Sequence, residues 1–209
     1  MKRIDSTSYL YHWVKSDPHT KVQHMDYENA FQTFLKILSD WNLKHGDIIK
    51  TGGEPGLCFT ESPEYFMHKD KSKYQPFGFK FYKKRIFRLG GRAVIYSPES
   101  EKELIHESIR WRYMRHDPLA ISDRTPYGVD FTWEREWRLP EPELSILDAV
   151  NIIVPNERYI QRAQAAADEL LHINAIEMYK YYGQYEPHPE YEEYIDTIKE
   201  KLITPEEFT

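Results

Sequence analysis

Two glutamates stand two residues apart late in the chain, within the segment Trp133–Arg138 (Trp-Glu-Arg-Glu-Trp-Arg). The alternation of aromatic and charged residues predicts a β-strand over Thr132–Leu139, so Glu134 and Glu136 should point to the same face. Two carboxylates on one face can stabilise a developing positive charge or take a proton from a reacting group. The two arginines of the segment allow another interpretation, an ordinary surface ladder of cross-strand ion pairs. Both interpretations stay open.

Several common chemistries lack their sequence signatures. Neither Gly-Lys-Ser nor Gly-Lys-Thr occurs, and the cluster Gly52–Gly56 lacks the spacing of a dinucleotide-binding loop, which disfavours a P-loop or Rossmann-type enzyme. His-Glu-x-x-His and Gly-x-Ser-x-Gly are absent as well, and the nine histidines are scattered, so we predict no metal site. The single cysteine, Cys58, cannot form an intrachain disulfide or a thiolate-rich zinc site.

Short strands and helices must position the glutamates. The apolar runs Leu10–Val14 and Leu57–Thr60 predict strands, and apolar residues at every third or fourth position predict a helix over Tyr27–Trp41 with Asp26 as its cap. Ser62-Pro63 favours a short helix through Met67.

The middle of the chain predicts a strand pair and a helix. Phe77, Phe79 and Phe81 alternate with other residues, which indicates a strand with an aromatic core face. We expect Ala93–Tyr96, after Gly90-Gly91, to pair with this strand. Ser97-Pro98 and an apolar stripe then predict a helix ending near Tyr113.

The last part of the chain predicts a loop, a strand and two helices. Residues 116–128 contain two prolines and a glycine without periodicity, which is typical of a loop. Ala149–Val154 is a predicted strand, Asn156 caps a predicted helix, and Pro189 opens the final one.

This order of elements predicts an α+β fold with a mostly antiparallel sheet flanked by helices. We expect residues 1–183 to form a single catalytic-type α+β domain. Residues 184–209 are expected to form an acidic helical extension docked on it through one apolar stripe. The stripe consists of Tyr191, Tyr194, Ile195, Ile198 and Leu202.

Charge is segregated along a chain whose formal net charge is -6. Nine basic residues against one acidic residue occupy the segment from Lys69 to Arg92, whereas carboxylates dominate from Gln184 onward. The basic segment is either a solvated face or a surface for nucleic-acid phosphates. The residues that we assign to such contacts are Lys80, Lys83, Lys84, Arg85, Arg88 and Arg112.

Three short motifs together resemble ADP-ribosyltransferases. They are Tyr11-His12-Trp13, Phe59-Thr60-Glu61-Ser62 and Trp133-Glu134-Arg135-Glu136-Trp137-Arg138. Their order and spacing look like the AbiGi-type phage-resistance proteins and, more distantly, the DarT-like nucleic-acid ADP-ribosyltransferases, over roughly residues 8–173. The chain mixes two patterns of that fold, because it combines a first-strand histidine with a late pair of glutamates.

The resemblance implies an ADP-ribosyltransferase-like split sheet, NAD as substrate and no metal. Breaking the glycosidic bond of NAD leaves an oxocarbenium-like ribose, which Glu136 would stabilise, while Glu134 would position or deprotonate the acceptor. We expect His12, Thr60 and Glu136 to converge on one cleft. The resemblance assigns five residues to NAD, with the two tyrosines as stacking partners of nicotinamide: His12, Thr60, Ser62, Tyr82 and Tyr96.

Three functions follow from these observations. The first is transfer of ADP-ribose from NAD to a macromolecule, most plausibly DNA or RNA, in a toxin or phage-defence context. The second is a binding module without turnover, which would serve as an antitoxin or defence-operon partner. A metal-dependent nuclease is a weaker third. Mean hydropathy of -0.73 and the lack of an apolar leader favour a cytoplasmic protein without a membrane partner.

Overall fold

In the described residues, seven strands form one mixed, mostly antiparallel sheet, in the order Leu202–Ile203, Asn151–Ile153, Tyr74–Tyr82, Tyr9–Lys15, Leu57–Thr60, Glu136–Leu139 and Arg92–Ala93. The computed structural model describes residues 7–15, 27–46, 56–62, 74–122 and 125–205. The strands are β1 (Tyr9–Lys15), β2 (Asn42–Lys44), β3 (Leu57–Thr60), β4 (Tyr74–Tyr82), β5 (Arg92–Ala93), β6 (Ile95–Ser97), β7 (Tyr113–Arg115), β8 (Glu136–Leu139), β9 (Glu143–Ser145), β10 (Asn151–Ile153) and β11 (Leu202–Ile203).

Helices complete an α+β architecture, as the sequence predicts. The α-helices in the described residues are α1 (Tyr27–Asp40), α2 (Lys83–Arg88), α3 (Glu157–Tyr182) and α4 (Pro189–Lys201). In the sheet, β3 runs antiparallel to β1 and β8, β5 antiparallel to β8, and β4 antiparallel to β10, whereas β10 and β11 are parallel. β2 pairs with β9, and β6 with β7, in two further two-stranded sheets.

The chain divides into two compact units. One comprises Met1–His12, Leu43–Pro63 and Phe81–Leu144, and the other comprises Trp13–Asn42, Glu64–Lys80 and Ser145–Thr209. All residues that we assign to catalysis or NAD belong to the first unit. The first unit also contains every assigned nucleic-acid residue except Lys80.

The second unit is built on an aromatic core. Phe77 and Phe79 of β4 are fully buried, as their alternation predicts, and they pack against Phe31 and Phe34 of α1 at centroid distances of 5.5 to 5.6 Å. Tyr159 of α3 joins them edge-on, 5.1 Å from Phe77. Rings in such tilted and edge-to-face arrangements add to the stability that burial of their area supplies.

The three long helices begin where the sequence predicts. Asn156 caps α3 by accepting a hydrogen bond from the backbone N–H of Tyr159, and Gly183 ends α3 in the left-handed conformation at φ 73°. Pro189 opens α4, whose buried Ile195 and Ile198 face α3 and the nearby sheet strand β10. Ile195 and Ile198 are thus buried members of the apolar stripe on this last helix.

The first unit departs from prediction after β4. Instead of a hairpin, Lys83–Arg88 forms α2, and Gly90 (φ 102°) and Gly91 turn the chain into β5, which pairs with β8. A side chain at Gly91 would meet the Cγ2 of Ile86 at 2.5 Å and its carbonyl oxygen at 2.9 Å, so this close return requires glycine. The prediction that Ala93–Tyr96 pairs with the Phe77–Phe81 strand is wrong, since the neighbours of β4 are β10 and β1.

The predicted helix ending near Tyr113 is also wrong. Two 3₁₀ helices, Glu99–Leu104 and Glu107–Arg112, occupy this segment, with Ile105 extended between them. The ring of His106 accepts a hydrogen bond from the backbone N–H of Ser108 and so caps the N-terminus of the second 3₁₀ helix. Leu104 is 83% exposed, so the apolar stripe does not face a core.

Three features of the sequence analysis lie outside the described residues. They are the Asp26 cap, the helix through Met67 and the basic residues within Lys69–Lys73.

A bidentate ion pair joins α1 to α3 in the second unit. Nη1 and Nη2 of Arg162 donate to the two carboxylate oxygens of Glu28 at 2.7 and 2.8 Å, and the guanidinium lies 4.3 Å from the centre of the Phe31 ring. The hydrogen bonds from Arg162 hold the pKa of the Glu28 carboxyl at about 2, against an ordinary value of 4.5.

Glu28→Gln should make the stability of the protein less dependent on acid pH. Because the pKa of Glu28 is depressed in the folded state, its contribution is present above pH 4.5 and is lost as the pH falls through about 2. The side chain is 55% exposed, so we expect the contribution to stay below about 1 kcal/mol at neutral pH. Urea unfolding of parent and variant between about pH 7 and pH 3 measures it, with Glu177→Gln, an exposed glutamate of α3, as control. Parallel pH profiles for parent and Glu28→Gln would contradict the assignment.

Candidate functional site

The strand that carries Glu136 starts at that residue, not at Thr132. Thr132–Glu134 forms a 3₁₀ turn, and Arg135 follows in the left-handed conformation at φ 48° and ψ 50°. The Asp130 carboxylate starts the turn by accepting hydrogen bonds from the backbone N–H and the hydroxyl of Thr132 at 2.8 and 2.7 Å. The prediction of one continuous strand over Thr132–Leu139 is therefore wrong. Glu134 and Glu136 are nevertheless both buried, each with 7% of its surface exposed.

Two hydroxyl groups fasten this turn to the end of β3. Thr60 donates its hydroxyl hydrogen to the backbone carbonyl of Glu134, and Ser62 donates to the carbonyl of Trp133 at 2.6 Å. The Thr60 hydroxyl also accepts a hydrogen bond from the backbone N–H of Ser62 at 3.0 Å. The hydroxyl hydrogens that the resemblance assigns to NAD are thus used to place Glu134 beside β3.

The register of the sheet aligns three residues across three strands. Thr60 of β3 lies opposite Tyr11 of β1 on one side and opposite Glu136 of β8 on the other. Directly paired residues share a face of the sheet, so Tyr11, Thr60 and Glu136 form one row. Sequence reasoning chose His12 and overlooked Tyr11, which lies only 4% exposed in this row.

His12 lies on the other face of the sheet from Glu136. Successive residues of a strand alternate between faces, and the ring of His12 accordingly contacts the buried ring of Phe59 at 6.0 Å. Its Nδ1 lies 2.9 Å from the backbone carbonyl oxygen of Cys58. The prediction that His12, Thr60 and Glu136 converge on one cleft fails, because a shift of one residue in register reverses the face.

The carboxylate of Glu136 forms a buried ion pair. Nε of Arg138, which is 2% exposed, donates to Oε1 of Glu136 at 2.7 Å. Nη1 of Arg138 donates to the carbonyl oxygens of Trp111 and Tyr113 at 2.6 and 2.8 Å, and these two hydrogen bonds fix the position of the guanidinium group. Within the described part of the chain, Oε2 of Glu136 accepts no hydrogen bond. One oxygen of this carboxylate is therefore fixed by Arg138.

Tyr96 supports the backbone of the same residue. Its hydroxyl accepts a hydrogen bond from the backbone N–H of Glu136 at 3.0 Å and donates to the carbonyl of Phe131 at 3.2 Å. Burial, and secondarily the nearby Glu136 and Glu134 carboxylates, raise the pKa of the Tyr96 phenol to about 12. Tyr96 ties β8 to the start of the 3₁₀ turn. The other predicted stacking residue, Tyr82, is 53% exposed and packs on Tyr9 at 5.3 Å.

Glu61 is a third buried carboxylate, and sequence reasoning assigned it no role. Its Oε1 accepts hydrogen bonds from Nζ of Lys83 at 2.8 Å and from Nη2 of Arg135 at 3.1 Å. Its Oε2 accepts one from Nε1 of Trp137 at 2.9 Å, and its backbone N–H donates to the carbonyl of Arg135. One sequence feature could have indicated a role for Glu61: it lies between the hydroxyl residues Thr60 and Ser62 at the end of a predicted strand.

The predicted nucleic-acid residues fall into three environments. Lys83 lies in the ion pair with Glu61, whereas Lys84, Arg85 and Arg88 lie exposed on α2. Arg112 is half-buried and donates from Nε to the carbonyl of Ala93 at 2.9 Å. Lys80, the remaining member, lies half-buried on β4 in the second unit.

Comparisons with protein families, curated proteins and solved structures find no match to this chain. Across residues 7–15, 27–46, 56–62, 74–122 and 125–205, no group of three or more histidine, cysteine, aspartate or glutamate side chains has a metal-binding arrangement. In the same ranges no helix has the length and apolar character needed to cross a bilayer.

Tyr96→Phe should destabilise the protein, because it leaves the backbone N–H of Glu136 without its acceptor. Loss of a buried hydrogen-bonding group typically costs about 1–3 kcal/mol. The raised pKa adds a signature at alkaline pH. The unfolded chain releases the tyrosine proton near pH 10 and the folded protein near pH 12, so the stability that Tyr96 contributes is full below about pH 10 and declines above it.

Urea unfolding at neutral pH, repeated between about pH 9 and pH 11, measures both effects. Tyr127→Phe provides the control, because Tyr127 is 90% exposed. Equal stability of the parent and Tyr96→Phe would show that the hydroxyl does not support β8.

Proposed function

We propose that this chain is an ADP-ribosyltransferase that uses NAD as substrate and modifies a macromolecule, most plausibly nucleic acid, in a toxin or phage-defence setting. The observation that supports the proposal best is the half-engaged carboxylate of Glu136. A carboxylate that served only an ion pair with Arg138 could use both oxygens, yet Oε2 accepts no hydrogen bond in the described residues. The motif-level resemblance suggests the reaction class, and this geometry favours Glu136 as its central residue.

The reaction needs negative charge beside the ribose. The bond between C1′ of the ribose and the nicotinamide nitrogen breaks, and its electron pair leaves with neutral nicotinamide. The ribose gains oxocarbenium character, the acceptor forms a new bond to C1′, and the acceptor loses a proton. A fixed carboxylate that binds a ribose hydroxyl stabilises this cation most strongly in the transition state.

The two glutamates divide these tasks. Oε2 of Glu136 accepts the ribose hydroxyl, and Arg138 holds the carboxylate so that it needs no reorientation during the reaction. Glu134, placed by the Thr60 and Ser62 hydroxyls, accepts the proton of the acceptor. His12 has no part in this arrangement, because it lies on the other face of the sheet.

Exposed positive charge in the same unit supports a nucleic-acid acceptor. Lys84, Arg85 and Arg88 lie on the solvent-facing side of α2, where they can contact phosphates. The second candidate function, a binding module without turnover, is favoured by one observation. The Thr60 and Ser62 hydroxyl hydrogens and Oε1 of Glu136 are bonded within the protein, as they would be in a purely structural network.

Glu136→Gln should reduce transfer of ADP-ribose by about 100-fold or more, the effect expected for loss of a group that stabilises transition-state charge. The amide oxygen of glutamine can still accept the hydrogen bond from Arg138, but the buried arginine loses its counter-charge, so the assay includes urea unfolding of the variant. The assay incubates the protein with NAD labelled in its adenylate phosphate and with separate pools of DNA, RNA and lysate protein. Nicotinamide release and label in each polymer are measured. Glu143→Gln, an exposed glutamate of β9, is the matched control.

The outcomes separate the two functions. Equal transfer by the parent and Glu136→Gln would contradict the role of Glu136. If the parent transfers no label to any pool, while the parent and Glu136→Gln bind nucleic acid equally, the chain is a binding module.

Glu134→Gln should separate transfer from hydrolysis. If Glu134 takes the acceptor's proton, its loss should lower transfer by about 100-fold, the range of general-base effects. Nicotinamide release into water should fall less, because Glu136 still stabilises the ribose cation. The ratio of polymer-bound label to released nicotinamide measures the difference. If the ratio is unchanged, Glu134 does not take the acceptor's proton and only positions the turn.

A further inference from the structure

Two arginines lie next to the Glu136–Arg138 pair, at the edge strand β5. Arg92 pairs directly with Arg138 in the β5–β8 register. Arg112 lies between Trp111 and Tyr113, whose carbonyl oxygens hold Arg138. Both arginines are thus connected to the residue that positions Glu136, one by strand pairing and the other by its chain neighbours.

Backbone carbonyls hold both guanidinium groups in place. Nη1 of Arg92 donates to the carbonyl oxygens of Phe87 and Gly91 at 2.9 and 2.7 Å, and its guanidinium lies 3.9 Å from the centre of the Phe87 ring. Nε of Arg112 donates to the carbonyl of Ala93, the residue after Arg92, at 2.9 Å. The two cations are close enough to interact, since burial and the charge of Arg92 together lower the pKa of Arg112.

Neither arginine has a carboxylate partner among the residues that the structure describes. Five other arginines do: Arg110 with Glu103, Arg115 with Asp117, Arg135 with Glu61, Arg138 with Glu136 and Arg162 with Glu28. Nε and Nη2 of Arg92, and both terminal nitrogens of Arg112, make no hydrogen bond within the described ranges. These donors are available on half-buried side chains that solvent can reach.

Two like charges held side by side without a counter-charge are unfavourable in the free protein. An anion between them offsets the repulsion, and the planar fork of arginine N–H groups matches the oxygens of a phosphate. Their surroundings suit such a ligand, because Phe87 is 50% exposed and Arg88 beside it is exposed.

We propose that Arg92 and Arg112 form a phosphate-binding site at the β5 edge. The phosphate comes either from the backbone of a polynucleotide acceptor or from the diphosphate of NAD. The choice of these two sources rests on the proposed function. The existence of the site does not, because phosphate binding can be measured without turnover.

Three probes test the site in the full chain at low salt: a fluorescently labelled single-stranded oligonucleotide of about 20 nucleotides, NAD, and inorganic pyrophosphate. The variants are Arg92→Gln, Arg112→Gln and the double variant, and Arg110→Gln is the matched control. Arg110→Gln removes the same charge from the 3₁₀ helix that also carries Arg112, at a position where the arginine is already paired with Glu103 at 3.0 Å.

The double variant should bind at least one phosphate-bearing probe about 10-fold or more weakly, whereas Arg110→Gln should bind like the parent. If the polynucleotide is the source, the slope of log affinity against log salt should fall in magnitude by about 0.7 for each lost phosphate contact on a single strand. If NAD is the source, NAD and pyrophosphate binding should weaken while oligonucleotide binding is unchanged.

A thermal-unfolding measurement provides an independent readout. Pyrophosphate should raise the melting temperature of the parent but not that of the double variant. A parent that binds none of the probes, a double variant that binds all three like the parent, or an equal loss in Arg110→Gln would overturn the site.

This inference and the proposed function can fail separately. If the double variant loses binding while the parent shows no transfer from NAD, the phosphate site stands and the transferase proposal falls. If Glu136→Gln abolishes transfer while the double variant binds every probe like the parent, the transferase stands and the phosphate site falls.

Discussion

The geometry around Glu136 depends on the buried carboxylate of Glu61. It accepts hydrogen bonds from Lys83 at the start of α2, from the left-handed Arg135 and from Trp137 in β8. A buried carboxylate with three donors is well compensated, whereas removal of one partner of a buried ion pair commonly costs about 3–5 kcal/mol. This one side chain therefore couples the end of β3, the first turn of α2 and the entry into β8.

The left-handed Arg135 gives the two glutamates of the site different supports. Non-glycine residues adopt this conformation at a cost. Here two hydrogen bonds offset it: the Arg135 side chain donates to the Glu61 carboxylate, and the Arg135 carbonyl accepts from the Glu61 backbone N–H. Glu136 is placed by strand register, while Glu134 is placed by a turn that Thr60 and Ser62 fasten. The two carboxylates are thus held by different groups, and Tyr96 connects the two supports.

The sequence was sufficient to predict the elements in which regularly spaced apolar residues mark a buried face. The Phe77–Phe81 alternation, α1, and the Asn156 and Pro189 helix starts all appear in the structure, because these residues face cores or end helices. The face of His12 could not be predicted, since it depends on the strand pairing of Tyr11 with Thr60, which a single chain does not encode locally. The break before Glu136 depends on a local cap, Asp130, and also on a distant partner, Glu61, which local sequence does not reveal.

The pairing of β11 with β10 has a consequence for synthesis of the chain on the ribosome. β10 ends at Ile153, and its parallel neighbour β11 begins only at Leu202. The ribosome therefore translates β11 roughly 50 residues after β10. At about 5–20 residues per second, the outer edge of β10 stays uncovered for several seconds of translation. An unpaired strand edge can recruit a strand from another nascent chain. Translation speed between α3 and β11 therefore sets how long each new copy is exposed to misassembly.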